Sequence, residues 1–97
     1  MYEKENKLMA RECGLVEGTQ TYWLFDKHGH NSGFKVKTWT IKDARCREII
    51  REKYIIDSIS GDNNWSCMSV KTGDEGIGKD ESAAFIACIV EICKGIE

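Results

Sequence analysis

Residues 73–79 carry the most specific chemical pattern in the chain, since they match the spacing Gly-x4-Gly-Lys. In a phosphate-binding loop, this spacing lets backbone amides surround phosphates between a strand and a helix. Here Asp80 stands where a Ser or Thr hydroxyl must hold magnesium, and Asp74 and Glu75 bring negative charge to the phosphates. Only one helix is expected to follow, which leaves no room for a parallel sheet. We therefore predict an acidic loop here and no nucleotide or other cofactor.

Two histidines and five cysteines raise the question of a metal site, because imidazole and thiolate are the ligands that zinc prefers. No Cys-x2-Cys pair is present, and Cys88 and Cys93 are five residues apart, so they do not share a helix face. Cys67 is the one thiol expected outside a helix, and no base can be assigned to it. The sequence predicts no metal and no catalysis. An enzyme would need a pocket lined by Cys67 or by His28 and His30.

Aromatic and acidic residues give a different indication, because Trp23, Trp39 and Trp65 all lie on or beside expected strands. Core packing accounts for at least two of them, and tryptophans left on a surface often contact a partner. Together with Asp74 and Glu75 of the acidic loop, they are the predicted partner-binding residues.

A cluster of basic residues supports an alternative function, in which the protein is a small regulator that binds nucleic acid or another anion. Its members lie on one expected strand and on the second expected helix: Lys35, Lys37, Arg45, Arg47 and Arg51. The formal net charge of −2 and the pI of about 5.7 disfavour a general nucleic-acid binder. The cluster would therefore act locally.

Length and composition predict a single domain spanning residues 1–97. No apolar run approaches the ~20 residues of a membrane helix, and the N-terminal residues lack the apolar region of a signal peptide, so we expect a cytoplasmic protein. Four of the five cysteines lie among apolar residues on expected helices, which favours reduced thiols in the core.

The element that must organise the fold is a helix over residues 81–94, the most apolar segment of the chain. Its large side chains, among them Phe85, Ile89 and Ile92, are expected to lie on a sheet. Its small side chains leave room for another helix or for a second copy of the chain, and this predicts a possible homodimer through Ala83, Ala84 and Ala87.

The remaining elements follow from hydrophobic periodicity and turn residues. We predict helices over residues 3–13 and 41–53, strands over residues 21–25, 34–39, 54–60 and 65–71, and loops over residues 27–33 and 72–80. The predicted fold is α+β, in the order α-β-β-α-β-β-α. Its four-stranded, mainly antiparallel sheet has helices packed on one or both faces.

Four segments of this layout carry a resemblance to a known family. Residues 3–14 look like a charged first helix that closes on glycine, and residues 40–44 look like a Thr/Ser-x-Asp start of a second helix. Residues 65–70 look like a strand bearing tryptophan, and residues 81–89 look like an alanine-rich last helix. In these features the chain resembles the phage ABA sandwich domain, a family of small phage and prophage proteins.

The chain departs from the family pattern at two places. The loop over residues 27–33 matches no motif, and Glu81 and Ser82 stand where family members often carry proline before the last helix. The resemblance implies a phage or prophage accessory protein without established catalytic residues. It further implies binding to a host or phage protein in the cytoplasm of the host cell. One role that it implies is that of an anti-CRISPR-like inhibitor of a host defence system.

Overall fold

The computed structural model describes residues 2–17, 22–25, 31–36 and 39–96. In this part of the chain there are three helices and two three-stranded antiparallel sheets. In chain order the elements are α1 (Glu3–Glu12), β1 (Leu15–Glu17), β2 (Tyr22–Phe25), β3 (Asn31–Val36), α2 (Ala44–Tyr54), β4 (Ile56–Ser60), β5 (Trp65–Ser69), β6 (Glu75–Gly78) and α3 (Glu81–Ile96). The predicted α+β class is confirmed.

The predicted order α-β-β-α-β-β-α and the single four-stranded sheet are wrong. Two strands were missed, so the order of the described elements is α-β-β-β-α-β-β-β-α. β1 has three residues, too few for a period-two pattern to be recognised. β6 lies within residues 72–80, which were predicted to be a loop because glycine and acidic residues are depleted in strands.

The first sheet is an antiparallel meander in the order β1-β2-β3. Gly14, with φ of 76°, turns the chain from α1 into β1. β2 pairs with β3 as expected for a hairpin, with Tyr22 opposite Val36 and a register shift between Trp23 and Phe25. Residues 31–33 were predicted as part of the loop over residues 27–33, but they belong to β3, and the rest of that loop lies outside the described residues.

Helices α2 and α3 begin where acidic side chains accept hydrogen bonds from free amides. The Asp43 carboxylate accepts from the Arg45 amide at 2.8 Å, and the Asp80 carboxylate accepts from the Ala83 amide at 2.8 Å. α2 ends at Ile55, which has a φ of 51° and turns the chain into β4. α3 continues to Ile96, two residues beyond the predicted end.

The second sheet has the order β4-β5-β6, and α3 packs on one face of it. Gly76 and Gly78 of β6 lie directly against α3. A Cβ at Gly78 would lie 2.5 Å from the Ala84 nitrogen, and a Cβ at Gly76 would overlap backbone atoms of Ala84 and Cys88. Strand and helix backbones approach this closely because neither glycine has a side chain.

The last helix was expected to place its large side chains on the sheet, but its contact with β6 is made differently. The small side of α3, at Ala84 and Cys88, faces β6. Phe85 is also buried, but its ring lies 4.8 Å from the guanidinium carbon of Arg51 on α2. Ala84 is fully buried against β6, so of the three alanines predicted for a homodimer, only Ala83 and Ala87 retain exposed surface.

The hydrophobic core lies between the three helices and the face of the second sheet that α3 covers. Its largest fully buried side chains are Phe85, Met9, Ile41, Ile50, Ile89 and Ile92. Ile41 is tied to α1 because the Asn6 side chain accepts a hydrogen bond from its amide at 2.8 Å. Within the described residues, no helix is both long and apolar enough to cross a membrane.

Candidate protein-binding surface

The face of the second sheet opposite α3 carries the largest group of exposed apolar side chains in the part of the chain that the structure describes. Successive residues of a strand point to opposite faces, so the residues between the buried positions point away from α3. We call this surface the open face and define it by Asp57, Ile59, Ser66, Met68, Glu75 and Ile77.

The strand register arranges the open face in two rows. Ile59, Ser66 and Ile77 lie side by side across the three strands, so two isoleucines flank a small serine. In the neighbouring row, Met68 lies between Asp57 and Glu75. Directly opposed side chains are about 4.5–5.5 Å apart at Cβ. The open face is thus a compact apolar patch with a carboxylate on each side of its methionine.

The exposure of this patch is large for side chains of this type. Ile59 is 65% exposed, Ile77 is 58% exposed and Met68 is 43% exposed. Single exposed apolar residues are ordinary on soluble proteins, whereas apolar residues gathered on one face mark a surface that contacts another molecule. Val70 lies two residues after Met68, just beyond the end of β5, and it is also exposed.

The two carboxylates of the open face give it a preference for positive charge. Asp57 and Glu75 are exposed, and neither forms an ion pair with any residue that the structure describes. Exposed carboxylates beside an apolar patch attract basic groups and repel acidic ones. The surface therefore suits an apolar side chain that has lysine or arginine near it.

Of the five residues predicted for partner binding, only Glu75 lies on the open face. Trp39 is 3% exposed, and its indole nitrogen has no hydrogen-bond partner among the residues that the structure describes. Trp65 is half-buried and points to the face that α3 covers. The Asp74 carbonyl accepts from the Ser69 amide at 2.9 Å and from the Cys88 thiol at 3.5 Å. The side chain of Trp23 lies outside the described part.

All three α2 arginines in the predicted anion patch bind the protein's own groups. Arg47 donates to the carbonyls of Ile41 and Lys42 at 3.1 and 2.7 Å, and to the Ser82 hydroxyl at 3.1 Å. Arg45 is more exposed and pairs with Asp43 at 3.0 Å. Arg45 holds the pKa of Asp43 below its ordinary value through this hydrogen bond. Residue 37 and the side chain of Lys35 lie outside the described part.

Arg51 is the most heavily engaged of these arginines. It donates to the Ile56 carbonyl at 2.8 Å and to the Ser58 hydroxyl at 3.3 Å, so it connects α2 to β4. It also pairs with Glu81 of α3 at 3.2 Å, and it stacks on Phe85. Most of its donors are therefore already used in holding the second sheet to two helices.

Burial makes two of the cysteines poor nucleophiles. Cys88 is fully buried, and burial raises its pKa from 9.0 to about 11. Burial also raises the pKa of Cys13 to about 11. Raised pKa values keep these thiols protonated near neutral pH, and only the thiolate attacks. Cys67 is buried 3.3 Å from the Ser58 hydroxyl.

The described part of the chain contains no group of three or more His, Cys, Asp or Glu residues that could hold a metal ion. The predicted loop histidines, His28 and His30, lie outside it.

The residues of the open face other than Glu75 were missed because a sequence pattern does not say which face of a sheet a helix will cover. The usable signal lies in residues 75–78, where glycine alternates with a larger residue. Alternating glycines in a strand indicate that another backbone lies against that face. The opposite residues, including Ile77, must then point away from it. Comparison of the chain with family models, curated proteins and solved structures found no match in any of the three.

Proposed function

We propose that this protein is a non-catalytic binding module that docks a partner protein on the open face of its second sheet. The observation that supports the proposal is the apolar patch formed by Ile59, Met68 and Ile77, which the described helices leave uncovered. Covering one large apolar side chain contributes on the order of 1.5–3 kcal/mol. Three adjacent side chains could therefore anchor a specific contact.

The partner surface is expected to place an apolar side chain against Met68 and basic side chains against Asp57 and Glu75. This charge pattern makes association faster at low salt and excludes acidic surfaces. The formal net charge of −2 favours the same class of partner over phosphate-bearing polymers.

The cellular setting of the proposal comes from the sequence. The resemblance to the phage ABA sandwich domain supports a phage or prophage accessory protein acting in the cytoplasm of a bacterial host. The partner would then be a host or phage protein, and a component of a host defence system is the case in which simple occupation of a surface has the largest effect. This assignment remains a prediction.

The alternative of an anion-binding or nucleic-acid-binding regulator has less support in the geometry. It relies on the arginines of α2, and Arg47 and Arg51 already donate to carbonyls, a hydroxyl and a carboxylate of the same chain. Arg45 is the remaining exposed arginine of this group. One exposed guanidinium makes a weak and unspecific site.

The experiment is quantitative capture of proteins from a bacterial lysate by the wild-type chain and by two variants of the open face, Met68→Lys and Ile59→Lys. The matched control is Ala44→Lys, which adds the same charge at an exposed position of α2, away from the sheet. A partner retained by the wild type and the control, and lost by both face variants, supports the proposal. Equal retention by all four proteins contradicts it.

A further inference from the structure

The two edges of the second sheet differ in how they are protected. On β4, the Ile55 carbonyl accepts from Val70, so the Ile56 carbonyl points to the free edge, where Arg51 donates to it at 2.8 Å. On β6, the Asp74 carbonyl accepts from Ser69, and Gly76 lies opposite Cys67. By the alternation of an antiparallel ladder, the backbone amides and carbonyls of Glu75 and Ile77 point away from β5. No described residue covers them.

The free edge of β6 lies beside an open apolar cleft of about 540 Å³ on α3. The cleft is lined by Ala83, Ile86, Ala87 and Val90 of α3, with Tyr2, Lys42 and Glu91 at its margins. Ala83 and Ala87 also contact the positions where Cβ atoms would stand on Gly78 and Gly76. The edge and the cleft are therefore parts of one surface. A strand added to this edge would lie next to the small side chains of α3.

The sequence along this edge is complementary to itself. Residues 75–79 read Glu, Gly, Ile, Gly, Lys, so an antiparallel copy centred on Ile77 places Glu75 opposite Lys79 and Gly76 opposite Gly78. Glu75 and Lys79 are both exposed, and within the described part neither forms an ion pair. The residues that would face each other through hydrogen bonds are the ones whose backbone groups point outwards.

We propose that the chain forms a two-fold symmetric dimer in which β6 pairs with β6 of a second copy, giving a continuous six-stranded sheet. The two α3 helices then lie on the same face of this sheet, with Ala83 and Ala87 at their contact. Helices pack at about 8–10 Å, and small residues permit the closest approaches. Ile86 and Val90, which line the cleft, become covered.

The dimer goes beyond the proposed function and does not depend on it. Ile77 of each copy would lie beside Ile77 of the other on the open face, so the apolar patches of the two copies would join into one. A two-fold contact uses the same residues on both chains, so each Glu75 meets a Lys79 of the other chain and this ion pair forms twice.

The test is sedimentation equilibrium of the wild-type chain and of two charge reversals, Glu75→Lys and Lys79→Glu, over a wide range of protein concentration. Each reversal places like charges opposite one another at two symmetric positions and is expected to weaken the dimer by about tenfold. An equimolar mixture of the two variants restores opposite charges at both positions, so it should dimerise at least as well as the wild type. Glu52→Lys, an exposed reversal on α2, should leave the dimer unchanged.

Two results would overturn the proposal: a wild-type chain that sediments as a monomer at every concentration, or a mixture of the two reversals that remains as weakly associated as either variant alone. Ile59→Lys separates this proposal from the binding function. Its change lies on β4, away from the β6 edge, so it should lose the partner protein and keep the dimer.

Discussion

The two faces of the second sheet differ most on its edge strand, β6. The face covered by α3 has Gly76 and Gly78 on its edge strand and buried Cys67 on its central strand, whereas the open face carries Ile59, Met68 and Ile77. The small side chains mark the covered face because they let α3 approach the strand backbone. On β6, the large side chain of Ile77 lies on the face that the described helices leave exposed.

On β6, hydrophobicity alone assigns the two faces wrongly. A sheet with one solvated face normally turns its apolar residues to the core. Here close backbone packing stabilises the covered face, and apolar surface remains for another molecule. The difference predicts that substitutions on the two faces will have very different effects on stability and on binding.

The largest effect is expected on the covered face, for Gly76→Ala. The added Cβ would overlap backbone atoms of Ala84 and Cys88, and neither backbone can move without displacing α3. We expect the free energy of unfolding in urea to fall by about 3 kcal/mol. That is a large part of the 5–15 kcal/mol typical of a small domain.

Gly95→Ala is the matched control for Gly76→Ala. A Cβ at Gly95 meets no atom within 4 Å, and the residue lies in the last turn of α3, where alanine favours the helix. This substitution should raise the free energy of unfolding by about 0.5 kcal/mol. If the two alanine substitutions change the free energy of unfolding equally, the close contact between β6 and α3 is refuted.

The next largest effect is expected for Arg51→Met, which removes the charge that connects α2 to both β4 and α3. The variant leaves the Ile56 carbonyl without its donor and ends the contact of the guanidinium with Phe85. We expect a loss of about 2 kcal/mol in the free energy of unfolding, measured in urea.

Arg45→Met tests whether this loss is specific. Among the described residues its guanidinium pairs only with the nearby Asp43, and it is well exposed, so the expected change is below about 0.5 kcal/mol. If Arg51→Met lowers the free energy of unfolding as little as Arg45→Met does, the arginine face of α2 is free to bind an anion, and the alternative function regains support.

A smaller effect on the free energy of unfolding is expected from pH, through a buried thiol on the covered side of the sheet. The pKa of the buried Cys88 thiol is about 11 in the folded chain and returns to its ordinary value of 9.0 on unfolding. Between these values the unfolded chain releases the proton while the folded chain keeps it. The free energy of unfolding should therefore fall as pH rises from 9.0 to about 11, with a contribution from Cys88 on the order of 1–2 kcal/mol.

Urea unfolding at several alkaline pH values measures this dependence, and Cys88→Ala should make it shallower. The Cys13 thiol has its pKa raised to about 11 by burial as well, so replacing both cysteines should flatten it further. A wild-type stability that does not change across this range would contradict the burial of these thiols.

The sequence predicted the elements whose local signals agree with their packing. Residues 81–94 were recognised as the central helix, and residues 65–71 as a strand, because periodicity and composition point the same way there. Glycine at positive φ, as at Gly14, and a hydrogen-bond acceptor before a helix, as at Asp80, also have local causes.

The predictions that were wrong concern features that depend on contacts between distant residues. The strand β6 has poor strand propensity and exists beside α3 because its glycines admit the helix backbone. Which side of α3 would face the sheet could not be read from the helix alone, because both its small and its large side chains are apolar. The open face followed from that orientation, so Ile59, Met68 and Ile77 could not be found before it was known.

The most direct test of this account is the free energy of unfolding of Met68→Lys. If the open face is uncovered, the new lysine lies in solvent between Asp57 and Glu75, and the stability should stay within about 0.5 kcal/mol of the wild type or rise slightly. If that face is instead packed within the fold, a buried charge would replace a core methionine, and a loss of about 3 kcal/mol or more would contradict the account.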